Sequence, residues 1–183
     1  MKCKSCVIVP GFESNYDKHP FIAVPRGEGE CVEGWSEIVG RLCDAVGKDD
    51  RVVVVVDCYV GVHVDRIRAE LGRCLKPMLL IDSQEAFRDP NEIDRLVMPF
   101  LGDDDPIFGF LCGLTMEQFL DARKQKSLRD RVEQADGLVL IVGVAASAIH
   151  DGDILVYADM PAGKANSDNG VMRQAILVWE THS

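Results

Sequence analysis

Three aspartates stand where apolar runs of the sequence end, and their carboxylates are the groups best placed for chemistry. Asp57 ends RVVVVVD, Asp82 ends MLLID and Asp159 ends ILVYAD. Apolar runs of this length are typical of strands buried on both faces of a sheet. Because the carboxyl ends of parallel strands share one edge, we expect the aspartates to lie together there. They could hold Mg²⁺ or orient a ligand hydroxyl. The alternative is that each caps the following turn or helix.

A second candidate is the segment GVAAS, Gly143 to Ser147, at the end of the apolar run Leu138 to Val144. Glycine and small side chains let backbone amides approach an anion closely, as in phosphate-binding loops. No lysine follows, the second glycine of a Walker A loop is missing, and GxGxxG is absent. GVAAS therefore predicts a simple cradle for a phosphate or carboxylate, with close packing of small residues as the alternative.

Two histidines follow predicted strands. His63 comes after the valine run and His150 after GVAAS, so either could act as an acid or base at the same edge. A solvated loop histidine is the alternative for both. Ser147 and His150 with an aspartate suggest a nucleophilic triad, but the GxSxG elbow is lacking. We assign no catalytic residue and no metal site held by protein groups alone. The predicted ligand-binding residues, all near strand ends, are Asp57, Tyr59, Gly143, Ser147, His150 and Asp159.

Composition and charge narrow the possible partners. The 183 residues include 30 acidic and 20 basic side chains, a formal net charge of -10. Nucleic-acid binding needs clustered Lys and Arg, so this charge argues against it. No apolar run approaches the ~20 residues of a membrane span. The seven cysteines, an odd number without a signal peptide, fit a reducing compartment. We expect a cytoplasmic protein that binds neither nucleic acid nor membranes.

The order of elements predicts a three-layer α/β fold in a single domain, residues 1–183. Strands alternate with helices, which favours a mostly parallel sheet flanked by helices. The predicted helices are about Val32 to Val46, Val64 to Leu75, Pro90 to Phe100 and Thr115 to Ala135. Only about nine residues separate the strand ending near Val144 from that starting near Ile154, which is short for a parallel crossover. Either these strands pair antiparallel or a single helical turn joins them; we favour an antiparallel or irregular edge.

Several short strings, kept in order, resemble a known family. They are NYDKHPF (15–21), GW (34–35), VVVDCYVGV (54–62), DDDPIFG (103–109), VGVAAS (142–147) and GDILVYADM (152–160). The chain is similar to the N-terminal, non-cupin α/β module of bacterial class I mannose-6-phosphate isomerase-like proteins. Two departures from that family fall at the predicted edge. Ala145 stands where relatives tend to have glycine, and PAGKANSDNG follows Met160 in place of an Arg-Trp-Glu type string.

The resemblance implies a function as well as a fold. It implies an accessory domain with a P-loop-kinase-like layout, without a Walker A loop, that binds a phosphorylated sugar or nucleotide. In that family a zinc-holding cupin module carries out isomerisation, and this sequence lacks its pattern, so no isomerase residue is assigned. We also expect a cupin-domain partner or a homodimer. The alternatives are a non-catalytic interaction or scaffold domain and a degenerate small-molecule kinase.

Overall fold

Five strands form one sheet at the centre of the fold. The computed structural model describes residues 32, 34–47, 49–102, 109–159 and 175–180, the last range as backbone only. The strands are Arg51–Cys58 (β1), Leu79–Asp82 (β2), Gly137–Gly143 (β3), Ile154–Asp159 (β4) and Ala175–Glu180 (β5). Their spatial order is β2-β3-β1-β4-β5, with the first four parallel and β5 antiparallel to β4. The predicted α/β fold, with a mostly parallel sheet and an antiparallel edge, is confirmed.

Helices cover both faces of the sheet. They are Trp35–Val46 (α1), Val64–Leu75 (α2), Pro90–Val97 (α3) and Ala122–Gln134 (α4). Successive residues of a strand point to opposite faces, so the valines of β1 serve two separate cores. Val54 packs in one core with Ile67 of α2, whereas Val55 packs in the other with Leu128 of α4. The run of valines is therefore buried on both sides, as expected for a central strand in a three-layer fold.

The favoured antiparallel pairing of β3 with β4 is wrong. The two strands lie on opposite sides of β1, and both run parallel to it. The alternative is confirmed, because a single 3₁₀ turn, Ala146–Ala148, lies in the connection. Asp153 then returns the chain to the sheet: its N–H donates to Val53 O at 2.8 Å, and its Oδ2 accepts from Val53 N at 2.7 Å. The antiparallel edge is formed by β5 instead.

The single helix expected from Thr115 to Ala135 is also wrong, since the chain breaks near its start. Met116–Phe119 forms a short 3₁₀ helix, and α4 begins only after Asp121. Between them Leu120 is extended, forms a β-bridge with Phe87 and is 2% exposed. Asp121 caps α4 by accepting two backbone N–H groups, at 2.8 and 3.2 Å. The burial of Leu120 and the capping of α4 by Asp121 stabilise the broken chain more than one continuous helix would.

Some sequence predictions fall outside the described residues. These are the NYDKHPF string, most of DDDPIFG and the PAGKANSDNG segment. The described residues from Gly34 onwards belong to one compact unit. Within those residues, no helix has the length and apolar character needed to cross a membrane. The prediction of one domain over residues 1–183 stays a prediction.

Candidate functional site

The connections that follow β1 and β3 leave the sheet towards opposite faces. β1 leads to α2, whose Ile67 and Leu71 belong to one core, and β3 leads to the 3₁₀ turn, whose Ala146 belongs to the other. In parallel α/β sheets a crevice opens where two adjacent strands send their connections to opposite sides, and ligands bind there. The fold thus places the candidate site between the carboxyl ends of β1 and β3.

Strand register gathers several of the predicted residues on one face of this edge. Asp57 lies beside Gly143 of β3 and, on its other side, beside Tyr157 of β4. Residues in register share a face, and so do residues two apart along a strand, so Asp159 also lies on this face. Tyr157 was absent from the predicted set. The signal was available in the YAD string, because Tyr157 stands two residues before Asp159.

A cleft of about 490 Å³ lies over this edge. Its lining includes the carboxylates of Asp57 and Glu117 and the rings of Tyr59 and Tyr157. Within the described part of the chain, no Lys, Arg or His side chain lines it. The cleft therefore offers hydrogen-bond acceptors and aromatic faces and carries negative charge.

The Asp57 carboxylate is held by Ser147. The backbone N–H of Ser147 donates to Asp57 Oδ2 at 3.2 Å, and the Ser147 hydroxyl donates to the same oxygen. The loop GVAAS thus uses one of its amides for a carboxylate of the chain itself. Both hydrogen bonds end on Oδ2, so Oδ1 of Asp57 stays available to a ligand as far as the described residues are concerned.

The backbone is strained where this turn begins. Ala145 has φ 58° and ψ 31°, in the left-handed region. A residue with a Cβ pays ~1–2 kcal/mol in that region, whereas glycine does not. Ala145 is only 8% exposed and packs in the core on the α4 face. The conformation explains why glycine would suit this position.

The electrostatics of the edge keep the Tyr157 phenol and the Cys58 thiol protonated. Partial burial, followed by the negative charges of Asp159 and Asp57, raises the pKa of the Tyr157 phenol. That phenol therefore keeps its proton at neutral pH and can donate a hydrogen bond. Burial, followed by the charge of Asp57, raises the pKa of the Cys58 thiol to about 11. Cys58 is 2% exposed in the core and is not an activated nucleophile.

The third strand-end aspartate, Asp82, stabilises the fold. It forms an ion pair with Arg68 of α2, and its Oδ1 accepts the backbone N–H of Gln84 at 2.9 Å. This hydrogen bond caps the 3₁₀ helix Ser83–Ala86 that follows β2. Asp82 is thus a helix-capping residue, the alternative considered for each of the three aspartates.

The structure does not bring His150 to the other predicted residues. Its Nδ1 accepts the Gly152 N–H at 2.9 Å, and its Nε2 lies 3.3 Å from Glu133 Oε1. Glu133 is near the end of α4 and also lies 3.6 Å from Arg51, the first residue of β1. His150 is therefore near the amino edge of the sheet. His63, which immediately precedes α2, does not line the Asp57 cleft either.

The side chains at this edge could supply only some of the ligands that a metal ion needs. Among the described ranges, no three His, Cys, Asp or Glu side chains come together as a metal site. Mg²⁺ commonly takes one or two carboxylates and completes its shell with water and ligand phosphates. Asp57 could serve in that way, and so could Asp159, which lies on the same face of the sheet but is not among the described residues that line the cleft.

Comparison with known proteins identifies a family for this chain. No curated protein and no solved structure matches the chain. A family model described as a domain of unknown function, DUF8485, matches residues 34–169. These residues are most of the chain and contain Asp57, the 3₁₀ turn and β4. The chain belongs to the DUF8485 family.

Proposed function

We propose that the chain binds a phosphorylated sugar or nucleotide, as its Mg²⁺ complex, in the cleft above Asp57. The observation that carries the proposal is the position of Asp57 at the switch point between β1 and β3, with one carboxylate oxygen fixed by Ser147. A carboxylate held in this way is ready to bind without reorganising. Its second oxygen can accept from a ligand hydroxyl or bind the cation.

The charge of the cleft is the reason for including Mg²⁺. Asp57 and Glu117 line the cleft, and its described lining has no basic side chain. A free phosphate would be repelled there, whereas a phosphate carried by Mg²⁺ brings its own positive charge. Asp57 and Asp159 would hold the cation together with ligand phosphate oxygens and water.

The two tyrosines suit the remainder of such a ligand. Tyr59 is 54% exposed, and its ring face can stack on a base or a sugar ring. The protonated Tyr157 phenol can donate to a ligand hydroxyl. The cleft volume, about 490 Å³, falls in the range of small-molecule sites, roughly 300–1,000 Å³.

The family resemblance supports the same assignment. The strings VVVDCYVGV, VGVAAS and GDILVYADM cover the end of β1, the end of β3 with its turn, and β4. These three elements surround the cleft. On this proposal the chain is an accessory domain similar to the non-cupin module of mannose-6-phosphate isomerase-like proteins, and it works beside a cupin-domain partner or as a homodimer.

A thermal-shift experiment tests the proposal. Mannose 6-phosphate, ATP and GTP are each added with Mg²⁺ or with EDTA. A ligand at a hundredfold excess over Kd stabilises the folded state by about 2.7 kcal/mol, which raises the melting temperature by several degrees. We expect this rise for at least one compound, with Mg²⁺ only, and its loss in Asp57→Asn. The control Asp136→Asn, at an exposed aspartate before β3, should keep it. No shift under any condition, or an equal shift in both variants, overturns the proposal.

A second candidate, an interaction domain, is favoured by the rim of the same cleft. Tyr59, Val60 and Met116 are 54%, 65% and 40% exposed, and all three line the cleft. Aromatic residues and methionine are enriched at protein interfaces. A scaffold domain would cover this rim with a partner or a second copy. Sedimentation of the wild type and Val60→Glu tests it: a dimer lost in the variant favours the scaffold, and a wild-type monomer disfavours self-association.

A further inference from the structure

Arg129 of α4 holds the carbonyl end of the 3₁₀ turn Ala146–Ala148. Its Nε donates to Ile149 O at 2.7 Å, and its Nη2 donates to Ala148 O, also at 2.7 Å. Gln125, one helical turn earlier, donates to Ala148 O at 3.3 Å. A guanidinium presents several donors in a fixed plane, so it can restrain two neighbouring carbonyl groups at once.

The middle residue of the same turn, Ser147, holds Asp57. Ser147 donates its N–H and its hydroxyl to the Asp57 carboxylate, and Ser147 directly precedes Ala148. Arg129 and Asp57 therefore act on adjacent residues of the turn, Ala148 and Ser147. Hydrogen bonds to charged groups are stronger than neutral ones, so both residues are firmly restrained.

We propose that Arg129 is the positioning residue for the contact between Ser147 and Asp57. Only one peptide unit separates the Ala148 carbonyl from the Ser147 N–H, so a shift of that carbonyl displaces Ser147, and loss of Arg129 loosens the hold on Asp57 at the cleft. The inference goes beyond the proposed function, because it concerns a contact within the chain and is tested without a ligand. Because Arg129 is exposed on α4, a change on that face of the helix can alter the position of Asp57 in the cleft.

Amide hydrogen exchange of Ser147, measured by NMR, tests the proposal. In Arg129→Met we expect Ser147 to exchange about fivefold faster, the change that follows loss of a hydrogen bond of ordinary net strength. The amides of Val55 and Ile141, in the central strands, should keep their rates. The matched control is Arg131→Met, which removes another α4 arginine, paired with Glu85 at 2.7 Å, and should leave Ser147 unchanged.

Two further variants keep the test decisive if Arg129→Met folds poorly. Arg129→Lys retains the charge and one donor, and should give an intermediate rate at Ser147. Gln125→Ala removes only the 3.3 Å hydrogen bond and should give a smaller acceleration. Equal rates at Ser147 in the wild type and the Arg129 variants overturn the proposal. So does an acceleration of equal size at Ser147, Val55 and Ile141, because that result reports a general loss of stability.

Discussion

Gly143 and Ser83 lie so close together that only a glycine fits at the end of β3. A Cβ on Gly143 would collide with Ser83 Oγ, and Gly143 has φ 139°. Ser83 is 1% exposed, and its hydroxyl donates to Val144 O at 2.8 Å. This contact fixes the place where β3 ends beside Asp57 and the chain enters the connection to β4.

Gly143→Ala should destabilise the protein by about 3 kcal/mol. The backbone conformation alone costs an L-residue ~1–3 kcal/mol, and the collision with the buried Ser83 adds to it. Urea unfolding measures the change. The control Gly113→Ala, at an exposed glycine where a Cβ meets no atom within 4 Å, should stay within about 0.5 kcal/mol of the wild type. Equal stabilities of the two variants would contradict the contact.

Ser147→Ala should lower the free energy of unfolding by about 1 kcal/mol. The substitution removes the hydroxyl that donates to Asp57, and the exposure of Ser147 keeps the loss near that of an ordinary hydrogen bond. Ser127→Ala in α4 is the matched control. It removes a hydroxyl from an exposed helix position, where alanine is the better helix former, so stability should hold or rise slightly. A Ser147→Ala variant as stable as wild type would show that the hydroxyl contact to Asp57 contributes nothing to stability.

Asp82→Ala should cost about 2 kcal/mol without changing ligand binding. It removes both the ion pair with Arg68 and the cap at Gln84, and the Asp82 side chain is only 21% exposed. Asp82→Asn keeps an acceptor for the cap, so about half of that loss is expected. Glu70→Gln, in the pair with Arg73, should cost under ~0.5 kcal/mol because Arg73 is 72% exposed. Chemical denaturation ranks the three variants. An Asp82→Ala variant that keeps full stability but loses ligand binding would show that Asp82 belongs to the binding site.

The sequence could predict where the aspartates stand but not what each one does. A buried apolar run ends at each of them, and parallel strands bring their ends to one edge, so the position follows from local pattern. Whether a carboxylate caps or binds depends on partners far away in the chain. Asp82 meets Arg68 from α2, and Asp57 meets Ser147, which lies 90 residues further on. The spacing of residues along the sequence does not predict those contacts.

The pairing of β3 and β4 shows a second limit of local reasoning. The length of their connection suggested an antiparallel pair, because most parallel crossovers need a full helix. Here a single 3₁₀ turn suffices, since Ala146 and Ile149 are buried and Asp153 anchors the chain to Val53. The same turn places Ser147 on Asp57 and sends His150 towards the amino edge. The prediction of His150 as a site residue depended only on its position after GVAAS, and this turn carries it away from Asp57.

Cysteine reactivity should separate buried thiols from exposed ones. Cys43 and Cys112 are exposed, whereas Cys58 is buried and burial raises its pKa to about 11. At pH 8 iodoacetamide should modify Cys43 and Cys112 in the native protein and leave Cys58 unmodified, because thiolate is the reacting form. Peptide mass spectrometry reads the sites, and urea-unfolded protein is the control in which Cys58 reacts too. Rapid native labelling of Cys58 would be inconsistent with its burial.

The same thiol should make stability depend on alkaline pH. An unfolded thiol has a pKa near 9.0, and the folded value is about 11, so the folded state holds the Cys58 proton more tightly. Above pH 9 the unfolded chain loses that proton while the folded protein keeps it, so the free energy of unfolding falls until about pH 11. Other groups titrate in this range, but they contribute equally to the wild type and to Cys58→Ala. The difference between the two proteins therefore reports on Cys58. Urea unfolding at pH 8 and pH 10.5 should show a larger loss for wild type than for Cys58→Ala. Equal losses would mean that the folded thiol titrates as an unfolded one does. The Cys58 thiol beside Asp57 would then be more exposed to solvent than its packing indicates.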